Sequence, residues 1–284
     1  MGAAFLITLR EGIEAALLIS IILAYLNAIG RRDRHGVVWA GVGGAVALSL
    51  LVGGIIFAIA GGLSHTASEV FEGLTSYLAV GVLTWMIFWM RRNAIRLKGE
   101  LQERVDVALA SGSTLALSAL AFLVVGREGL ETALFLFSAF KASADTPAGM
   151  TILGALLGLA LAAGLGMLLY RGGLRLNLRT FFRVTGALIL VVAASLLVYG
   201  THELLEVGAF RFLDGTWLLA EAGAVAVPMN LILRVVVGLG GEATWLELSL
   251  WLVYLVVTGV LFFRPHRVAV ARPATPERTD AVTG

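Results

Sequence analysis

The chain has 284 residues, of which 59% are hydrophobic and 14% charged, with a formal net charge of +2 and a mean hydropathy of +0.92. A soluble domain carries roughly 25% charged residues, so this composition excludes an ordinary soluble domain and predicts an integral membrane protein. The sequence contains no cysteine, which excludes disulfides, cysteine-ligated metals and thiol catalysis.

Seven apolar segments are long enough to cross a bilayer as helices, because a hydrocarbon core of about 30 Å needs about 20 helical residues. In chain order these predicted spans are residues 3–28, 37–60, 70–90, 112–140, 148–170, 182–204 and 244–263. We therefore predict an all-α fold in which one seven-helix transmembrane domain occupies residues 1–263.

Positive charges predict the orientation of these spans. The segments 30–36, 91–110 and 171–183 and the tail from residue 264 together hold sixteen Lys or Arg residues, whereas the alternate segments hold three. Segments rich in Lys and Arg stay in the cytoplasm. The N-terminus is thus predicted outside and the C-terminus in the cytoplasm, which requires an odd number of spans.

The segment 207–243 lies between the sixth and seventh spans and is apolar in its middle. An eighth span is the alternative there, but polar and helix-breaking residues interrupt the apolar run: Glu221, Pro228 and Arg234. An eighth span would also place the basic tail outside. We predict a helix that lies in the outer interface, then the seventh span at 244–263, and a polar, disordered cytoplasmic tail over 264–284.

An internal repeat locates the candidate site. Residues 10–17 read REGIEAAL and residues 127–134 read REGLETAL, with six of eight positions identical. The two motifs lie in the first and fourth spans, so two repeats of three helices, about 1–92 and 110–206, cross the membrane in opposite senses. This 3+3 inverted repeat plus one helix is typical of transporters that bind their substrate near the midplane.

Six ionisable residues of the two motifs lie at membrane depth: Arg10, Glu11, Glu14, Arg127, Glu128 and Glu131. Each arginine faces the glutamate four residues later. Two buried Arg–Glu pairs that lock helices together are the structural alternative, but four carboxylates and two guanidinium groups leave two negative charges unmatched. Protonation or a bound cation must neutralise them. Carboxylates favour hard cations, including Fe³⁺, Mg²⁺, Ca²⁺ and Mn²⁺.

A second group of metal-ligating side chains lies at the outer ends of the third and sixth spans. Its members are Glu69, Glu72, His202, Glu203 and Glu206. We predict that they line an outer entrance above the central carboxylates. The alternative for Glu69 and Glu72 is stabilisation of a helix N-terminus, because acidic groups there suit the helix dipole. Acidic groups at a helix C-terminus oppose the dipole, so this alternative does not explain Glu203 and Glu206.

The paired REGxE motifs, with FEGLTSYLAVGVLTWMIFWMRR in the third span and HELLE in the sixth, resemble the high-affinity iron permease family of oxidase-dependent iron transporters, most closely its bacterial, EfeU-type branch. The resemblance covers about residues 1–263. It implies import of iron, as Fe³⁺ that a partner oxidase produces from Fe²⁺, across the bacterial inner membrane, with iron as transported substrate and not as a prosthetic group. In the family the REGxE glutamates bind the ion, and here they are Glu11, Glu14, Glu128 and Glu131.

The resemblance also implies a periplasmic or exported partner that oxidises or delivers iron. The acidic Asp-Ala-Ser-Glu motif of the fungal members is not matched, because the loop after the fourth span reads KASADTP and supplies only Asp145. We expect lipid and no nucleic acid as partners of the protein, and the sequence leaves open whether it forms a homo-oligomer.

Two other functions also stay open: transport or export of another hard or heavy-metal cation, and an intramembrane carboxylate-metal enzyme. Enzymes of that class typically use Glu-x-x-His pairs, which neither motif contains.

Overall fold

The computed structural model describes residues 1–93, 97–143, 146–171, 178–213, 216–236 and 243–264. Within these ranges the fold is α-helical. In chain order the helices are α1 (Gly2–Ala28), α2 (His35–Gly62), α3 (His65–Asn93), α4 (Leu97–Ala110), α5 (Thr114–Lys141), α6 (Ala148–Tyr170), α7 (Leu178–Glu206), α8 (Val227–Val236) and α9 (Trp245–Phe263).

A helix covers each of the seven predicted spans, and five of these helices are long and apolar enough to cross a membrane: α2, α3, α6, α7 and α9. Helices α1 and α5 are 27 and 28 residues long, but each carries the charged residues of one REGxE motif. Large apolar side chains are exposed along α2, α6 and α9, including Leu50, Leu156 and Val256. Such surfaces are stable in lipid and not in water, so the protein is an integral membrane protein.

Helix α4 is a feature that the sequence reading missed. From the sequence, 91–110 is predicted only as a cytoplasmic segment rich in Lys and Arg, yet α4 packs against α1 and α5. Its buried residues Leu101, Val105 and Ala108 recur at helical spacing and join Leu26 and Leu117 in one apolar cluster. Polar residues lie between these apolar ones, so hydropathy averaged over a window of residues does not show the amphipathic pattern.

The segment 207–243 contains short helical turns and α8 in its described part. Ten residues of α8 extend about 15 Å, half the thickness of a hydrocarbon core. Met229 on α8 packs with Ala194 of α7 and Trp251 of α9 in a buried apolar cluster. The predicted tail lies outside the described residues from 265 onward, as does Asp145.

The three most extensive helix contacts follow the repeat. Helix α1 packs against α6, α2 against α5, and α3 against α7. Exchanging α1, α2 and α3 with α5, α6 and α7, in that order, turns the α1–α6 contact into the α5–α2 contact. The same exchange leaves the α3–α7 contact unchanged. This pattern is the one expected of two units related by an approximate two-fold axis.

Close contacts at glycine support the same relation residue by residue. A β-carbon at Gly12 of α1 would lie 2.7 Å from Ala162 Cβ on α6, and one at Gly129 of α5 would lie 2.9 Å from Ser49 Cβ on α2. Gly12 and Gly129 are equivalent positions of the repeat, because each lies two residues after the arginine of its motif. Both motif glycines therefore allow their helix to approach the second helix of the other repeat closely.

Candidate metal centre

The two REGxE motifs meet where α1 packs against α5. Their carboxylates are withdrawn from the surface: Glu11, Glu14 and Glu128 are 1%, 3% and 5% exposed, and the Glu131 side chain is 12% exposed. The two glutamates of each motif lie three residues apart, and residues at this spacing share one face of a helix. The repeat therefore delivers four glutamates to one place from two separate helices.

Three of these glutamates lie close enough together to hold a cation. One carboxylate oxygen from each of Glu11, Glu128 and Glu131 lies within 4.8 Å of the other two. Glu14 is outside this group of three and forms an ion pair with Arg10, while it lines the same cavity as Glu128. The fourth predicted ligand is thus adjacent to the three clustered carboxylates.

Two arginines neutralise part of this charge. Arg10 Nη1 lies 3.3 Å from Glu11 Oε1, and Arg10 Nη2 lies 3.0 Å from Glu14 Oε1. Arg127 Nε donates to Glu131 Oε1 at 2.8 Å and lies 3.9 Å from Glu128 Oε1. If all six groups are ionised, four negative and two positive charges leave a net charge of −2 inside the helix bundle.

Unpartnered carboxylate oxygens make this place suited to a cation. The Oε2 atoms of Glu11, Glu128 and Glu131 are buried and accept no hydrogen bond from the residues that the structure describes. A buried polar atom without a partner costs free energy, and buried charge costs more. A hard cation coordinated by these oxygens would remove both costs.

A cavity of about 230 Å³ leads away from the site. Glu14, Arg127 and Glu128 line one part of it, and Glu100 and Arg104 of α4 line another. Both α4 side chains belong to exposed residues, so the cavity connects the buried carboxylates with the surface that carries α4. On the other side of the site, Ile7 and Phe135 belong to a fully buried apolar cluster.

Glu72 lies in a polar cluster where α3, α5 and α7 meet. Its Oε1 accepts from Ser68 Oγ at 2.6 Å and from Lys141 Nζ at 2.7 Å, and its Oε2 accepts from Tyr199 OH at 2.5 Å. Tyr199 also interacts with Glu203. Glu72 and Glu203 are thus brought together through a shared tyrosine, and Lys141 neutralises Glu72.

The other predicted entrance residues are further apart. Glu69 Oε1 pairs with His65 Nδ1 at 2.6 Å. His202 Nδ1 lies 3.0 Å from Glu247 Oε1, and its Nε2 lies 3.5 Å from Glu206 Oε1. In the described part of the chain, Glu69, His202 and Glu206 thus pair with residues other than Glu72, and none of them joins the group of three clustered carboxylates.

Sequence reasoning missed two residues of this region, Lys141 and Tyr199. Tyr199 lies one helical turn before Glu203 and could have been found by that spacing. Glu247 forms a capping box with Thr244 at the start of α9, which fits a helix-start role, but it also contacts His202 across to α7. Lys141 carries no sequence signal beyond its position at the end of α5.

A lipid-facing helical bundle with clustered buried carboxylates defines a membrane protein with a candidate site for a hard cation. Comparison with known proteins supports this class. The family model described as "Iron permease FTR1 family" matches residues 1–274, so the chain belongs to the iron permease FTR1 family. No solved structure shows significant similarity to the chain.

Curated relatives match over nearly their whole length. The chain is 40% identical over 272 residues to the ferrous iron permease EfeU of Escherichia coli O157:H7 and to that of Shigella sonnei, covering 94% of this chain and 97% of each relative. It is 38% identical over 285 residues to ferrous iron permease EfeU of Yersinia pestis, covering 97% of this chain and 100% of the relative. Together with the apolar helices, this likeness identifies a multi-pass inner-membrane protein.

Proposed function

We propose that the protein imports iron across the cell membrane through the carboxylate site shared by α1 and α5. The observation that carries the proposal is the approach of Glu11, Glu128 and Glu131 within 4.8 Å, in a cluster with surplus negative charge. Carboxylates alone fit several hard cations. The choice of iron comes from the family and from relatives that are named ferrous iron permeases.

The proposed path has three parts. Iron first meets the outer acidic residues around Glu72, Glu203 and His202, then binds the central carboxylates, and leaves through the cavity beside α4. The exchangeable contacts of the two repeats, α1 with α6 and α2 with α5, support an inverted pair of three-helix units. Such units can rock against each other around a fixed site near the midplane.

The proposed topology has seven spans, with the N-terminus outside and α4 in the cytoplasm. It can be tested simply, because the native chain contains no cysteine. Ser64→Cys, between α2 and α3, is expected to react with a membrane-impermeant maleimide in intact spheroplasts. Ser111→Cys, between α4 and α5, is expected to react only after lysis. Both residues are exposed, and labelling of both from the same side would contradict the topology.

The proposed substrate at the central site is Fe³⁺, produced from Fe²⁺ by an exported partner protein. A trivalent ion suits an all-oxygen site because hard cations prefer carboxylate oxygens. Iron is then a cargo, not a prosthetic group, and the protein itself catalyses no reaction. The relatives' names specify ferrous iron, so the test must present both oxidation states.

Purified protein in proteoliposomes provides this test. We expect radiolabelled iron to accumulate in vesicles that contain the protein and not in empty vesicles, with Fe²⁺ kept reduced by ascorbate in one series and Fe³⁺ supplied as citrate in another. Accumulation of Mn²⁺ without iron would indicate a transporter of another cation. Efflux without uptake from either face would indicate an exporter, and oxygen consumption without vectorial movement would indicate an enzyme.

A further inference from the structure

The two motif arginines occupy different surroundings despite their equivalent positions in the repeat. Arg10 is 2% exposed and lies between Glu11 and Glu14. The Arg127 side chain is 37% exposed, although its partner Glu131 is 12% exposed. Arg127 also lines the cavity beside α4, whereas Arg10 does not. One arginine is thus fixed inside the protein, and the other borders open space.

Arg127 has a second set of partners within reach. Its guanidinium carbon lies 5.7 Å from the centroid of the Trp85 ring and 5.1 Å from that of Trp89. A guanidinium group over an indole face is attracted electrostatically by the ring. Glu100 lines the same cavity. The side chain can therefore leave Glu131 without becoming an isolated charge.

A bound cation and Arg127 compete for the same carboxylates. Glu131 Oε1 accepts from Arg127 at 2.8 Å, and Glu131 also supplies an oxygen to the group of three that could hold a metal. A cation at that point would repel the guanidinium group and attract the carboxylate. Without a metal, the positive charge of Arg127 therefore lies at Glu131. The site binds a metal best when that charge has moved away.

We propose that Arg127 is a displaceable counter-ion for the metal site. It holds Glu131 and Glu128 when no cation is bound, and it moves along Trp85 and Trp89 into the cavity when a cation binds. When the cation leaves towards α4, Arg127 returns to Glu131 and favours release. This inference rests on the proposed function, because it assigns a role in binding and release at the same carboxylates.

The opposite effects on binding and on transport test this role. Arg127→Gln removes the competitor, so purified protein is expected to bind Ga³⁺, supplied as citrate in place of Fe³⁺, about 10-fold more tightly. Iron transport in proteoliposomes is expected to fall by a similar factor, because release becomes slow. Arg127→Lys keeps a positive charge and is expected to restore both properties in part. Arg31→Gln, at a surface ion pair with Asp33, serves as the matched control.

Weaker or unchanged Ga³⁺ binding by a folded Arg127→Gln variant would overturn the inference. If that variant does not fold, the unmodified protein still tests it: Ga³⁺ should change the tryptophan emission, and this change should be lost in Trp85→Phe/Trp89→Phe. An unchanged emission at saturating Ga³⁺ would likewise overturn it. Failure of the unmodified protein to bind any metal would instead refute the proposed function.

Discussion

Replacement of Glu128 by glutamine is expected to abolish iron accumulation in cells while the protein still reaches the membrane. Glutamine has the same shape but removes one negative charge from the group of three clustered carboxylates. Glu128 is the clearest choice because its nearest guanidinium nitrogen is 3.9 Å away, so little ion pairing is lost. We expect the initial uptake rate to fall by more than ~100-fold, beyond the loss typical of residues that only support metal ligands.

Glu103→Gln is the matched control for this change. Glu103 lies on α4 and is exposed, so its replacement removes the same charge from the protein without changing the carboxylate cluster. Uptake of labelled iron by cells that lack other iron importers measures both variants, and membrane fractionation measures their amounts. Normal uptake by Glu128→Gln at a normal amount of protein would show that this carboxylate does not carry iron.

The packing of the two repeats makes a second strong prediction. Gly12→Ala is expected to lower the stability of the protein in detergent by about 1–3 kcal/mol, the usual cost of overpacking. The new β-carbon would lie 2.7 Å from Ala162 Cβ, and an alanine β-carbon cannot rotate away. Alanine gains up to about 1 kcal/mol over glycine in helix propensity, which offsets only part of this cost. Thermal unfolding of the purified variant measures the difference.

The partner residue supplies the rescue. Ala162→Gly removes the atom that Gly12→Ala would meet, so the double variant is expected to regain most of the lost stability. Gly43→Ala is the control, because nothing lies within 4 Å of a β-carbon there. The repeat predicts the same behaviour for Gly129→Ala with Ser49→Gly. If Ala162→Gly fails to rescue Gly12→Ala, α1 and α6 do not pack as described.

The membrane class and the approach of the two REGxE motifs could be predicted because both depend on strong, local signals. Apolar segments of 20 residues have few alternatives to spanning a bilayer. Charged residues inside such segments are costly and so mark function. The repeated REGxE motif then brings Glu11 and Glu128 together, since an inverted repeat places equivalent residues near its axis.

The partners of the site could not be predicted in the same way. The contact of Arg127 with Trp85 and Trp89 joins α5 to α3, and the contact of Lys141 with Glu72 joins the same helices at the other end. Such contacts depend on the rotation of each helix about its axis, which hydropathy does not specify. Tryptophans such as Trp85 and Trp89 are typical of interfacial anchors, and only the packed structure places Arg127 over their rings.

Helix α4 could not be predicted from the sequence for a different reason. Its apolar residues Leu101, Val105 and Ala108 are few, and charged residues surround them. A helix with this pattern is stable when it packs against a prepared apolar surface. Here α1 and α5 supply that surface, and they are distant in sequence. The wall that α4 contributes to the cavity was for this reason absent from the sequence-based account.

Crystals of the protein grown with iron would test the shared site most directly, by anomalous diffraction on the two sides of the iron absorption edge. The account predicts an iron-specific peak within coordination distance of Glu11, Glu128 and Glu131, and its loss in Glu128→Gln. Iron bound only at the outer residues around Glu72, with none between α1 and α5, would contradict it.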